Sequence, residues 1–200
     1  YRLTKDMLRK IDAIAAQSEA DAKRFISLGA EQSDTFIVGN LKFNVDHNFQ
    51  KGIGPLLFSQ IENSGRDVII AASTRKGEEK KILSAIKIVQ KVIPSVLLII
   101  VPRHPERFDS VYDLIEREGF KCLRRSTGKI FSEETQIVVG DSMGELNAYY
   151  SISHIAFVGG SLVDAGCQNV LEPAALSLPI VVGPSQYNFA SICENLKVKG

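Results

Sequence analysis

The sequence predicts an α/β protein built on a doubly wound, mostly parallel sheet. Short β-branched and apolar runs alternate with longer stretches of helical period. The run Val96–Val101 is near-continuously apolar, as expected of a parallel strand covered on both faces. Most strands are followed at once by glycine, serine or a charged residue, the composition of ligand-type loops at one sheet edge.

Taken in order, Tyr1–Lys10 reads as the tail of a helix and Ile11–Ala16 as a short apolar run. Ser18 is a good N-cap, with Glu19 and Asp21 in the first turn of a helix ending at Gly29. Thr35–Val38 is a strand closed by Gly39–Asn40, and the polar stretch Leu41–Gly54 is a linker. Pro55–Glu62 reads as a helix and Asp67–Ala72 as a strand running into Ser73–Thr74. Gly77–Ile93 places Ile82, Ile86, Val89 and Ile93 on one helical face. Pro105–Glu118 does the same with Phe108, Val111, Tyr112 and Ile115. Strands follow at Lys121–Arg125 and Gln136–Val139, the second opening into Gly140–Asp141–Ser142–Met143–Gly144–Glu145. The last unit is a strand at His154–Val158, a loop from Gly159–Gly160, a small-residue helix at Asn169–Ser177 and a strand at Pro179–Val182.

Composition narrows the function. A chain of 200 residues with net charge +1 has no basic field that would argue for nucleic acid. No apolar run approaches the roughly 20 residues that span a bilayer. No signal peptide is visible, and a start at Tyr1 suggests a fragment. Three scattered cysteines without a C-x-x-C spacing fit a reducing compartment and offer no metal site. There is no G-x-S-x-G elbow, no H-E-x-x-H and no Walker phosphate loop. Gly159–Gly160–Ser161 lacks the full G-x-G-x-x-G pattern of a dinucleotide dehydrogenase.

Four strand-end segments converge on the expected carboxyl edge: Ser73–Thr74, Pro102–Arg103–His104, Asp141 to Glu145 and Gly159 to Ser161. Arg103 suits bidentate pairing with phosphate or a surface ion pair with Glu106. His104 would touch a ligand or cap the following helix. Asp141 and Glu145 read as solvated loop carboxylates rather than catalytic ones, with the Glu145 N–H, in the first turn of a helix, available to an anion. Glu172 either accepts from ribose hydroxyls or simply favours a helix N-terminus. His47 and His154 read as structural.

Ordered motifs then give a family. VPRHPERF (101–108), VVGDSMGEL (138–146), FVGGSLV (157–163) and NVLEPAA (169–175) together resemble the bacterial 3-deoxy-D-manno-octulosonic acid (Kdo) transferases. AAQSEADAKRF (15–25), VGNLKF (38–43) and AASTRKGEE (71–79) match the same family in the same order. The resemblance implies a GT-B glycosyltransferase with two Rossmann-like domains. Residues 1–40 would end the N-terminal acceptor domain, 41–54 would link, and 55–200 would form a C-terminal domain binding CMP-Kdo.

By similarity, Pro102, Arg103, His104, Met143, Gly144, Glu145, Asn169, Val170, Leu171 and Glu172 would contact CMP. Ser73, Thr74, Gly160, Ser161 and Gln168 are further candidates. The implied reaction transfers Kdo from CMP-Kdo to lipid A precursor, inverting, with no metal and no cofactor. Its catalytic base is a glutamate of the acceptor domain ahead of Tyr1, so this chain would hold no catalytic residue. The full-length protein would sit on the cytoplasmic face of the bacterial inner membrane. A related enzyme using a UDP or GDP sugar, or a nucleotide-binding module without catalysis, are the competing readings. One segment departs from the family pattern Gly-Gly-His-Asn-Pro-Leu-Glu, reading Gly166–Cys167–Gln168–Asn169–Val170–Leu171–Glu172. Gln168 keeps hydrogen bonding without the charge of histidine, and Cys167 restricts a position suited to glycine.

Overall fold

The computed structural model describes residues 2–38 and 56–199. The expected linker 41–54 and His47 lie outside the described residues. The chain divides into two compact units, Tyr1–His47 and Asn48–Gly200.

The smaller unit contains α1 (Arg2–Leu8), β1 (Ile14–Ala16), α2 (Glu19–Ser27) and β2 (Thr35–Ile37). The two strands pair in parallel, Ile14 opposite Thr35. Ser18 caps α2 as expected, its Oγ accepting the Asp21 N–H at 3.1 Å. Leu8, Ile14 and Ala30 form a small buried cluster.

In the larger unit the elements run α3 (Leu56–Asn63), β3 (Val68–Thr74), α4 (Glu78–Val92), β4 (Leu97–Pro102), α5 (Phe108–Arg117), β5 (Cys122–Arg124) and β6 (Ile137–Val139). They continue with α6 (Leu146–Ser151), β7 (Ile155–Val158), α7 (Leu171–Ala175), β8 (Ile180–Val181) and α8 (Ala190–Lys199). Six strands form one sheet in the order β5-β6-β4-β3-β7-β8, and every pair is parallel.

Every residue of β4 and β6 is buried, the consequence of helices on both faces. Successive side chains point to opposite faces. Ile70, Leu97, Ile99 and Val138 therefore pack with Leu57 and Tyr149 on one side. Ala71, Leu98, Ile100 and Val139 pack with Leu83, Ile86 and Ile115 on the other.

Three helices differ from expectation. The helix expected over Asn169–Ser177 is only Leu171–Ala175, because Ser177 turns left-handed (φ 56°) and the Leu178 N–H folds back to the Pro173 carbonyl at 3.1 Å. α6 was expected only as a first turn at Glu145. α8 was not expected at all; its buried residues are Ile192 and Cys193, too few to write a stripe into the sequence. His154 is structural as expected, its Nδ1 accepting the Val68 N–H at 3.0 Å.

Candidate functional site at the carboxyl edge of the sheet

The chain leaves β3 toward β4 on one side of the sheet, while β7 pairs with β3 on the other. The reversal of direction falls between β3 and β7, and in open α/β sheets ligands usually bind beyond the carboxyl ends of the strands at such a point. Here the two strand ends come unusually close. A side chain at Gly159 would collide with the Ser73 carbonyl and the Thr74 backbone, so only glycine fits. Ser73 itself is left-handed (φ 54°) at a bulge in the β3–β4 pairing.

Glu78, fully buried in the first turn of α4, ties this crossing together. Its Oε2 accepts the N–H groups of Arg75 at 2.7 Å and Gly160 at 2.8 Å, and its Oε1 accepts that of Leu162 at 2.9 Å. The Gly159 N–H goes to the Ala72 carbonyl. The glycine loop after β7 therefore does not offer the Gly159 and Gly160 amides to a phosphate; a carboxylate of the protein already occupies the Gly160 amide. The Ser161 side chain is likewise engaged within the protein: it is fully buried and its Oγ donates to the Val158 carbonyl at 2.7 Å.

At the end of β4 the expected residues divide. Thr74 is buried and its carbonyl accepts the Arg103 N–H and Arg107 Nη1, each at 3.1 Å. Arg107 also pairs with buried Glu79 at 2.8 Å. Pro102 is buried, completing β4. Arg103 is exposed, and its guanidinium has no partner among the described residues. Glu106 lies instead 3.9 Å from His104 Nδ1, so the alternative ion pair to Arg103 is not formed. The His104 side chain does not cap the following turn, although its carbonyl accepts the Arg107 N–H at 3.0 Å; its Nε2 meets Arg75 Nη1 at 3.0 Å.

The ends of β5 and β6 are fastened by two ion pairs that overturn the reading of solvated carboxylates. Asp141 is buried, bonded to Arg124 Nε at 2.7 Å, the Ser126 N–H at 2.7 Å and Ser126 Oγ at 2.5 Å. Burial pushes its carboxyl up, but the Ser126 and Arg124 hydrogen bonds outweigh that and hold it below the usual range. Arg124 also bonds Asp109 at 2.6 Å and lies over the Tyr112 ring. Glu145 pairs with Arg125 at 2.9 Å and accepts Ser142 Oγ, so its side chain is engaged. Met143 and Gly144 are exposed beside it, Gly144 in the left-handed region (φ 80°).

The segment 166–172 is stitched to the glycine loop through main chain. The Cys167 N–H bonds the Gly160 carbonyl at 3.1 Å and the Gln168 N–H bonds that of Gly159 at 2.9 Å. Cys167 is buried with φ 66°, the conformation that glycine takes without cost, and burial pushes its thiol up to about 12. The side chains of Val170 and Leu171 belong to the core, buried with Val158, Ile192 and Cys193, so any contact they make with a ligand is through main chain. Asn169 Oδ1 accepts the Leu171 N–H at 3.1 Å and its Nδ2 donates to Glu172 Oε1 at 2.9 Å. Glu172 is half-buried, with one oxygen held by Asn169 and the other without a hydrogen-bond partner among the described residues.

Sequence reasoning missed Arg75, Glu78, Arg124 and Arg125. For Glu78 a signal exists: Glu three residues after Arg75 at a helix start has the spacing of a capping box. The arginine contacts span up to 29 positions and leave no local trace. Among the described residues no group of three or more His, Cys, Asp or Glu could hold a metal, and no helix is long and apolar enough to cross a membrane.

The family model described as 3-deoxy-D-manno-octulosonic-acid transferase (kdotransferase) matches residues 1–45. The 3-deoxy-D-manno-octulosonic acid transferase of Haemophilus influenzae is 42% identical over 192 residues, covering 93% of this chain and 44% of that protein. The enzyme of the same name from Bordetella pertussis is 34% identical over 190 residues, covering 92% and 43%. Both proteins are more than twice as long as the part matched, so the chain spans less than half of either. Among solved structures, the C-terminal CMP-Kdo binding domain of WaaA from Acinetobacter baumannii matches with a TM-score of 0.67. It is 40% identical, covering 71% of this chain and 74% of that domain.

Proposed function

Because the chain belongs to the 3-deoxy-D-manno-octulosonic acid transferases, we propose that its larger unit holds the CMP-Kdo donor for transfer of Kdo to lipid A precursor. The observation that carries this reading is the 40% identity to a CMP-Kdo binding domain that shares the fold of this unit. The unpaired Arg103 and the half-satisfied Glu172 supply the chemistry such a donor needs.

In this reading Arg103 neutralises the single phosphate of CMP. Asn169 aims Glu172, whose free oxygen accepts from a ribose hydroxyl. Main chain around Met143, Gly144 and Glu145 supports the nucleotide, while the Arg125–Glu145 pair keeps that turn fixed. The acceptor hydroxyl attacks the anomeric carbon of Kdo and loses its proton to a base of the acceptor domain. The bond from that carbon to the phosphate oxygen breaks, and CMP leaves with the electron pair. Leaving-group charge is modest, which a single arginine and oriented dipoles can meet. Lipid A precursor places this chemistry at the cytoplasmic face of the inner membrane.

Calorimetric titration of the chain with CMP, UMP and UDP tests the reading. CMP is expected to bind most tightly. A clear preference for UDP would favour a different sugar nucleotide and overturn it.

A further inference from the structure

The nucleotide site described above makes no use of Arg75. This residue follows Thr74 beyond the end of β3, and Glu78 holds its N–H at 2.7 Å. Its Nη1 bonds His104 Nε2 at 3.0 Å, while its Nε is shut off from solvent with no partner. No carboxylate among the described residues pairs with it. Two other nearby cations are engaged, Arg107 by Glu79 and Lys81 by the Leu162 carbonyl at 2.9 Å. Confining a guanidinium without a counter-charge is costly, and a ligand anion would offset that cost.

Arginine only donates, so His104 Nε2 must be the acceptor and carry no proton. The imidazole is then neutral in this arrangement. His104 aims the guanidinium rather than adding a second charge. The loops bearing Arg75 and Arg103 lie side by side, joined by the hydrogen bond from the Arg103 N–H to the Thr74 carbonyl.

We propose that Arg75 is a specificity-determining residue that pairs with the carboxylate of the donor sugar, leaving Arg103 to the phosphate. The proposal rests on the donor reading above. Kdo is a 2-ulosonic acid, so its anomeric carbon bears a carboxylate as well as the phosphate ester. Two anionic groups on one carbon call for two cations on adjacent loops, and these loops provide them. His104 is the positioning residue for Arg75.

The test is binding of CMP and of CMP-Kdo to the chain and to its Arg75→Ala and Arg75→Lys variants. The chain is expected to bind CMP-Kdo more tightly than CMP. Arg75→Ala should lower CMP-Kdo affinity roughly tenfold or more, as for loss of a charge-assisted pair. It should leave CMP within about twofold, which also shows that the variant is folded, and Arg75→Lys should recover part of the loss. Equal affinities of Arg75→Ala and the unaltered chain for CMP-Kdo would overturn the assignment, as would an equal loss for both ligands. Binding of neither ligand by the unaltered chain would instead defeat the donor reading itself.

Discussion

The Glu78 carboxylate accepts the Gly160 N–H at 2.8 Å across 82 positions of sequence. By also taking the N–H groups of Arg75 and Leu162, it joins the loops after β3 and β7 where the sheet reverses direction. A buried anion thus does inside the protein what a phosphate does in many glycine-rich loops. The candidate site is built around that fixed point rather than on the glycine loop itself.

Glu78→Gln is therefore expected to be destabilising, although it is isosteric. An amide carries one acceptor oxygen and one donor nitrogen, and the nitrogen would face an N–H. Loss of charge-assisted bonds and a buried unsatisfied donor should cost roughly 2–4 kcal/mol, read as a lower urea midpoint. An unchanged midpoint would show that the junction does not depend on the charge.

Asp141 gives a pH dependence with a definite sign. Its folded carboxyl is held below the usual range, so its contribution is fully present above about pH 4, the ordinary unfolded value. It is lost as pH falls through the lower folded value. Asp141→Asn should therefore be less stable at pH 7, by about 3 kcal/mol for breaking a buried pair. The difference should shrink as the pH is taken below about 4. A gap that is constant from pH 7 to pH 2.5 would contradict the linkage.

Cys167 should reverse the usual order of small residues. At ordinary positions glycine is the less stable choice by roughly 0.5–1 kcal/mol relative to alanine. At φ 66° the Cβ is instead strained by about 1–2 kcal/mol. Cys167→Gly should thus be more stable than Cys167→Ala in urea unfolding, and Cys167→Val worse than both. Alanine above glycine would mean that the left-handed conformation is relieved in solution.

The alternation of strands and helices was legible because periods of two and 3.6 are local properties of the chain. The carboxyl-edge convergence of Ser73, Arg103, Glu145 and Gly160 followed from that alternation alone. What the sequence hid is what depends on partners far along the chain. Asp141 looks like a solvated loop residue until Arg124 and Ser126 are brought to it, and nothing local to Val170 announces that its side chain is core. α7 is shorter than its apolar content suggests because Ser177 turns left-handed and the Leu178 N–H folds back to the Pro173 carbonyl. Motif order showed the family, but not that Glu78 takes up the amide of Gly160, one of the further candidate contacts.

In the proposed function the carboxyl edge of the six-stranded sheet binds CMP through Arg103 and Glu172. Calorimetry of CMP with the chain and with Arg103→Ala and Glu172→Ala tests it most directly. Each substitution is expected to weaken CMP roughly tenfold or more, about 1.4 kcal/mol, with the fold intact by thermal melting. CMP affinities in both variants equal to that of the unaltered chain would contradict the account.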